Sequence, residues 1–221
     1  MEINIDSGLK QKIDNFKIGA ILYENIEVSH SPQMLQGRLR LFQESLFFEY
    51  AEKNVTDIPS VKEWRNSFKL VGADPARYRP SNEALLRRVQ KQQYISSMHS
   101  AVDLNNFLSL QYQIPLGIYD YNLLKGNILI TIGTESDTYL AVNEREVNFE
   151  NKILSKDSIG AFGSPYVDSK RTSVNFDTKD ALHLVYLRPS MNSEDAKDLL
   201  ASLTKMFLQI HGGEATYKVI E

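Results

Sequence analysis

Three prolines cut the stretch Val71–Gly126 into pieces whose backbone is largely dictated. It reads VGADPARYRPSNEALLRRVQKQQYISSMHSAVDLNNFLSLQYQIPLGIYDYNLLKG. Proline lacks an amide hydrogen and pushes the residue before it out of the helical region. Gly72-Ala73-Asp74-Pro75 therefore breaks whatever helix precedes it, and Arg77-Tyr78-Arg79-Pro80 is extended. Ile114-Pro115-Leu116-Gly117 ends a helix before an extended piece begins at Ile118. Between these breaks Ser81 is placed to cap one helix, with Glu83 in its acid-favouring first turn and Ala84, Leu85 and Val89 on its buried side. Ser96-Ser97 can cap a second, from about Met98 to Tyr112, turning Val102, Phe107 (or Asn106) and Leu110 inward. Asp103, Asn106 and Gln113 do not suit a fully apolar face, because a buried amide or carboxylate must find hydrogen bonds. Such residues either border a polar cavity or pin neighbouring loops.

The flanking chain reads as support for this stretch. Phe16–Val28 is rich in β-branched and aromatic residues, a strand pattern. Ser31-Pro32 starts a helix over 32–53 with a stripe of Leu35, Leu39, Phe42, Leu46 and Tyr50; His30 lies just outside it as a turn residue. Ser60 and Glu63 form a capping-box pattern before a helix from Val61 to about Leu70. Its Trp64 and Phe68 share a face, while Lys62, Arg65 and Lys69 read as solvated charge. Strands are expected at 127–134, 138–143, around 151–154, at 173–177 and at 181–187, with a glycine-bearing loop at Gly160–Pro165. Ser193 caps a last helix carrying Leu199, Leu203, Met206 and Ile210; Gly212-Gly213 ends it before a final strand at Thr216–Ile220. Together these make one α+β domain over residues 1–221.

Several classes of chemistry are excluded. The chain has no cysteine, so disulfides, thiolate metal sites and cysteine nucleophiles are out, and a reducing cytoplasm fits. No apolar run approaches the ~20 residues that span a bilayer, and MEINIDSGLKQ has no signal-peptide pattern. The loop GAFGSP lacks both the GxGxxG spacing and the P-loop lysine, and Ser164 is not in a GxSxG elbow. Four scattered histidines do not make metal-ligand spacing. No cofactor is expected. Net charge is −3, so any nucleic-acid binding must come from a local patch. Arg77, Arg79, Arg87, Arg88 and Lys91 cluster in sequence; they are either ordinary surface charge, with a Glu83–Arg87 pair, or a phosphate-binding stripe.

The run RPSNEALLRRV…SAVDLNNFLSLQYQIPLGIYDYNLLKGNI resembles the B3/B4 domain of the phenylalanyl-tRNA synthetase β subunit, and still more the free-standing B3/4-domain proteins of bacteria. The VD-x-x-N run is Val102, Asp103 and Asn106; the P-L-x-x-[FY]-D run is Pro115, Leu116, Tyr119 and Asp120, with Gly126 before a strand. Trp64, Arg65, Phe68, Gly72, Asp74 and Pro75 match the upstream pieces, so the resemblance is strongest over 64–126. It implies a β-barrel-like core with flanking helices. It also implies an editing site, which hydrolyses the ester joining a wrong amino acid to its tRNA. Asn106 matches the pocket asparagine, whereas the family histidine is replaced by Gly117. Asp168 is the nearest candidate for the pocket's acidic residue, and His99 or Asp168 is the candidate to take over the lost histidine's work.

The expected site thus has Asn106, Asp168 and His99 as catalytic candidates. Asp103, Asn105, Gly117, Asp120 and Gly163 are the substrate-binding candidates. Arg77, Arg79, Arg87, Arg88 and Lys91 would contact RNA. Two functions are carried forward. One is a free-standing deacylase acting on mischarged tRNA; the other is a non-catalytic module binding RNA or an aminoacyl ligand. Partners would be tRNA or aminoacyl-tRNA and a tRNA synthetase, with no membrane or DNA partner. A complete ligase is excluded by length and by the lack of an ATP-binding signature.

Overall fold

Helices form where apolar residues recur at helical spacing, and two of them end at a glycine, Gly72 and Gly212. In the computed structural model, which describes residues 1–221, α1 (Ser7–Lys12), α2 (Gln33–Tyr50), α3 (Pro59–Val71), α4 (Ser81–Gln90), α5 (Ser100–Tyr112) and α6 (Ser193–His211) make up the helical part. Gly72 ends α3 with φ +102°, a left-handed conformation suited to glycine. Trp64, on α3, is fully buried, with Phe16, Phe68 and Tyr186 edge-on around it. No helix is long and apolar enough to cross a membrane.

The strands are β1 (Ile3–Ile5), β2 (Ile18–Glu24), β3 (Leu116–Asp120), β4 (Ile128–Ile132), β5 (Thr138–Leu140), β6 (Glu146–Asn148), β7 (Ile153–Lys156), β8 (Ala161–Gly163), β9 (Ala181–Tyr186) and β10 (Glu214–Ile220). One sheet has the order β1-β4-β7-β8, a second has the order β10-β2-β9-β3, and β5 pairs with β6 in a small ribbon. The second sheet is antiparallel throughout; in the first only β1 and β4 run parallel. The fold is therefore α+β as expected. The resemblance implies a β-barrel-like core; both four-stranded sheets stay open and do not close into a barrel, with β1, β8, β10 and β3 as edges.

Strands β2, β9 and β3 of the second sheet are buried on both faces, whereas its edge strand β10 is largely exposed. Side chains alternate along a strand, so Ile21, Tyr23, Leu116, Ile118 and Val185 point one way, onto α5 and α6 through Leu104, Leu108, Leu200 and Phe207. Ile18, Ala20, Tyr119, Leu182, Leu184 and Tyr186 point the other way, onto Ile128, Ile130, Ile153 and Phe162 of the first sheet and Trp64 of α3. A third cluster joins α2, α3 and α4 through Leu46, Tyr50, Val61, Leu86 and Val89.

Several local expectations change. The N-terminal β1 and α1 are additional elements, with Asp6 accepting from the Gly8 and Leu9 amides. The first strand is shorter than 16–28, and residues 173–177 form no strand, only a bridge between Ser173 and Tyr119. Part of the glycine loop is strand β8. The serines chosen as caps have other partners. Ser31 Oγ donates to Asp103, Ser60 Oγ to Gln113, and Ser81 makes no side-chain cap. Glu63 accepts from Ser190 instead of closing a capping box. The last helix is capped by Asn192, one residue before Ser193.

Candidate functional site

The β3 alternation places Gly117 and Tyr119 on one face, toward the first sheet. A Cβ on Gly117 would lie 2.1 Å from Tyr119 Oη, and one on Gly163 only 2.2 Å from it. The phenol therefore lies over both glycines and fills the space between them. Its hydroxyl donates to Asp168 Oδ1 at 2.6 Å, and its ring meets Phe162 edge-on at 4.9 Å. Tyr186 Oη and Ser155 Oγ, 3.0 Å apart, continue this buried polar cluster. Beside it, Tyr139 Oη donates to the Val167 carbonyl at 2.5 Å.

Burial dominates the electrostatics here. It pushes the Asp168 carboxyl up to about 7, against the opposing pull of the Tyr119 hydroxyl and a backbone hydrogen bond at Ser164. Tyr119 is pushed well above its ordinary value, first by burial and then by the negative charge of Asp168. A carboxyl that titrates near neutrality can give or take a proton at working pH, the property expected of a general acid or base.

The candidates on α5 lie across the second sheet. This helix packs on the face that carries Leu116 and Ile118, whereas Gly117 and Tyr119 face the opposite way. Asn106 is half-buried and Asn105 is buried with its Oδ1 unpaired. Asp103 accepts from Ser31 Oγ at 2.5 Å, from Ser97 Oγ, and from the Met98 amide at 2.9 Å. Those bonds pin the start of α2 and the 97–98 loop to α5, the second of the two uses expected for polar residues there. His99 starts α5 with its ring edge against Phe176; burial lowers its pKa, partly offset by Asp103. Asp120 caps the turn after β3, accepting from the Asn122 amide and from Thr178 Oγ1 at 2.6 Å. The structure thus brings Gly117, Gly163 and Asp168 together around Tyr119, and leaves Asn106, Asn105, Asp103 and His99 on the far side of a sheet.

The cations divide differently from the linear cluster. Arg77, Arg79, Arg88 and Lys91 are exposed. Arg87 instead binds Glu83 at 2.8 Å, and Glu83 has a fully buried side chain that also holds Arg65 at 3.0 Å. Arg65, read from sequence as solvated charge, is therefore an anchored ion-pair partner. All of its hydrogen bonds, to Glu83 and the Pro75 carbonyl, come from Nη1. It lines a cleft of about 370 Å³ with Thr56, Lys62, Asn66 and Lys69. Sequence reasoning missed this cleft. The available signal was the i, i+3, i+4, i+7 spacing of Lys62, Arg65, Asn66 and Lys69, which places them on one helix face.

A larger cleft, about 480 Å³, opens between β5, β8 and the 169–171 turn. Its cations are already neutralised, Lys170 by Glu144 and Arg171 by Asp157. No group of three or more histidine, aspartate or glutamate side chains is arranged to hold a metal ion.

The B3/4 domain family model matches residues 63–209. The uncharacterized protein YhzB of Bacillus subtilis (strain 168) is 38% identical over 216 residues, 98% of either chain. The phenylalanine--tRNA ligase beta subunit of Malacoplasma penetrans (strain HF-2) is 26% identical over 114 residues, 50% of this chain but 14% of that subunit. Among solved structures, an N-terminal fragment of the phenylalanyl-tRNA synthetase beta-subunit from Pyrococcus horikoshii aligns with 97% of this chain and 50% of its own, at a TM-score of 0.49 and 15% identity. The match over 63–209 and the near full-length relative lead to one conclusion: the chain belongs to the B3/4 domain family.

Proposed function

We propose that this chain is a tRNA-binding module that grips the phosphate backbone of tRNA or aminoacyl-tRNA through α3 and α4. The observation that carries the reading is the cleft on α3. Thr56, Lys62, Arg65, Asn66 and Lys69 line it, with no carboxylate and no apolar side chain among them. Lysine supplies a point charge to phosphate, and an anchored guanidinium supplies a planar fork. Arg65 is anchored through a single nitrogen, which leaves the rest of its fork for a ligand. Exposed Arg77, Arg79, Arg88 and Lys91 extend the cationic surface. The related ligase beta subunit is consistent with tRNA as the nucleic acid.

The test is tRNA binding measured against salt concentration. Each phosphate contact contributes a slope of about 0.7 to 0.9 in log K against log salt. Lys62→Ala with Lys69→Ala should therefore weaken binding and flatten the slope by roughly 1.5. An unchanged slope overturns the assignment of the cleft.

A second reading, a free-standing deacylase of mischarged tRNA, is favoured by one observation, the near-neutral Asp168 carboxyl in the glycine-walled site. In that reading Asp168 takes a proton from water, water oxygen joins the acyl carbon, and the tRNA hydroxyl leaves with the proton. Tyr119 occupies the space that such a substrate would need, and this is why binding is preferred here to hydrolysis. A panel of misacylated tRNAs separates the two. Ester loss with wild type and none with Asp168→Asn supports the deacylase; no loss with any of them leaves the binding module.

A further inference from the structure

Helix α2 is apolar on two opposite faces, and only one of them meets the protein core. Leu35, Leu39, Leu46 and Tyr50 are buried, while Met34, Leu41 and Phe48 are 75%, 66% and 79% exposed. The exposed three recur every seven residues, the spacing that keeps a stripe on one side of a helix. The stripe is about 21 Å long at 1.5 Å per residue. Between its large residues lie Gly37 and Arg38 on one side of Leu41, and Glu44 and Ser45 on the other. Nothing lies within 4 Å of a Cβ built on Gly37.

This sequence is complementary to itself when reversed about Leu41. A second copy lying antiparallel, with a two-fold axis at Leu41, sets Met34 against Phe48 and Gly37 against Ser45. It also sets Arg38 against Glu44, and Leu41 against its own mate. Large meets large, small meets small and cation meets carboxylate, every pair occurring twice except Leu41 with its mate on the axis, as an isologous interface requires. A parallel arrangement would set Arg38 on Arg38 and Glu44 on Glu44, so charge selects the antiparallel one. Arg38 has no ion-pair partner within the chain, whereas Glu44 is shared with Arg40 at 3.1 Å. An apolar groove of about 420 Å³ beside Met34, lined also by Leu104, Phe107, Met206 and Ile210, opens at the end of the stripe where Phe48 of the second copy would arrive. We infer that this chain forms a two-fold dimer through antiparallel pairing of its α2 helices.

The absence of native cysteine makes the test direct. Leu41→Cys sits on the two-fold axis and should form a disulfide-linked dimer under mild oxidation, while Met34→Cys alone should not. Met34→Cys combined with Phe48→Cys should link. By analytical ultracentrifugation the wild type should run at twice the 25.2 kDa chain mass. Arg38→Glu and Glu44→Arg should each weaken the dimer by roughly tenfold or more, and their combination should restore it. These positions are solvent-facing, and Trp64 emission checks that each variant is folded. A 25.2 kDa species at high micromolar concentration overturns the proposal. So does linking of Met34→Cys as fast as Leu41→Cys, or failure of the charge swap to restore association.

Discussion

Replacing Asp168 by asparagine should stabilise the protein at neutral pH and do little at low pH. Asparagine keeps an oxygen for the Tyr119 hydroxyl but cannot ionise. In the folded protein the carboxyl titrates at about 7, against 3.8 for a free aspartate. Between those values the native state holds a proton that the unfolded chain has released. Raising pH through this window therefore removes stability, by about 1.4 kcal/mol per pH unit, and the loss is complete once pH exceeds the folded value. Three units make about 4 kcal/mol, an upper value because the site can relax around the charge. His183 and His211, lowered by burial to about 3 and about 4, add an opposite dependence, but they are present in both proteins and cancel in the difference. The assay is urea unfolding followed by Trp64, the single tryptophan, which is fully buried. The free-energy difference between Asp168→Asn and wild type should rise from pH 4 to 7 and then level off. A difference that stays constant with pH, or shrinks as pH rises, refutes the account of the buried carboxyl.

Gly117→Ala should cost about 2 kcal/mol in the same unfolding assay, because its new methyl would displace the Tyr119 phenol from a packed interior; a neutral effect would mean that the tyrosine moves freely. Removing both cations from Glu83, as Arg65→Met with Arg87→Met, should destabilise by about 3 kcal/mol by leaving a buried carboxylate unpaired. Stability within 0.5 kcal/mol of wild type, roughly the scatter of surface substitutions, would contradict that. His211, whose ring nitrogens meet the Phe207 carbonyl and Ser100 Oγ, is held near 4 against an ordinary 6.5. The unfolded chain gains a proton there first, so stability falls as pH drops from 6.5 toward 4. His211→Gln should show a flatter acid limb over that window than wild type.

Most helices and the central strands were legible in the sequence, because each is short-range: an apolar period, a proline or glycine at the end, and a β-branched run. What was not legible depended on distant partners. Ser31 and Ser97 look like helix caps, but the helices start after Pro32 and His99, and both serine hydroxyls donate to the buried Asp103 carboxylate instead. Residues 173–177 have strand-forming character, yet only Ser173 pairs, through a lone bridge to Tyr119. The candidate site failed to assemble from sequence for a related reason. Asn106 and Gly117 are eleven positions apart, but a helix end and a half-turn of strand parity send them to opposite faces of the second sheet. In the sequence Tyr119 is only part of a motif, since nothing local says that its hydroxyl rests over Gly163 from another sheet. Arg65 likewise looks like surface charge in the sequence because Glu83, its partner, lies beyond two proline breaks.

The order β10-β2-β9-β3 has a consequence for the growing polypeptide. Strand β2 ends at Glu24, but its two neighbours begin only at Ala181 and Glu214. Until residues from Ala181 onward are made, β2 has neither partner strand, and its backbone amides and carbonyls have no ladder to join. Pairings this far apart in the chain carry a large loop-closure cost and slow the folding reaction. Completion of the second sheet therefore waits until Glu214–Ile220 has left the ribosome. A stalled product ending before Glu214 would still present β2 as a bare edge, available to other nascent chains.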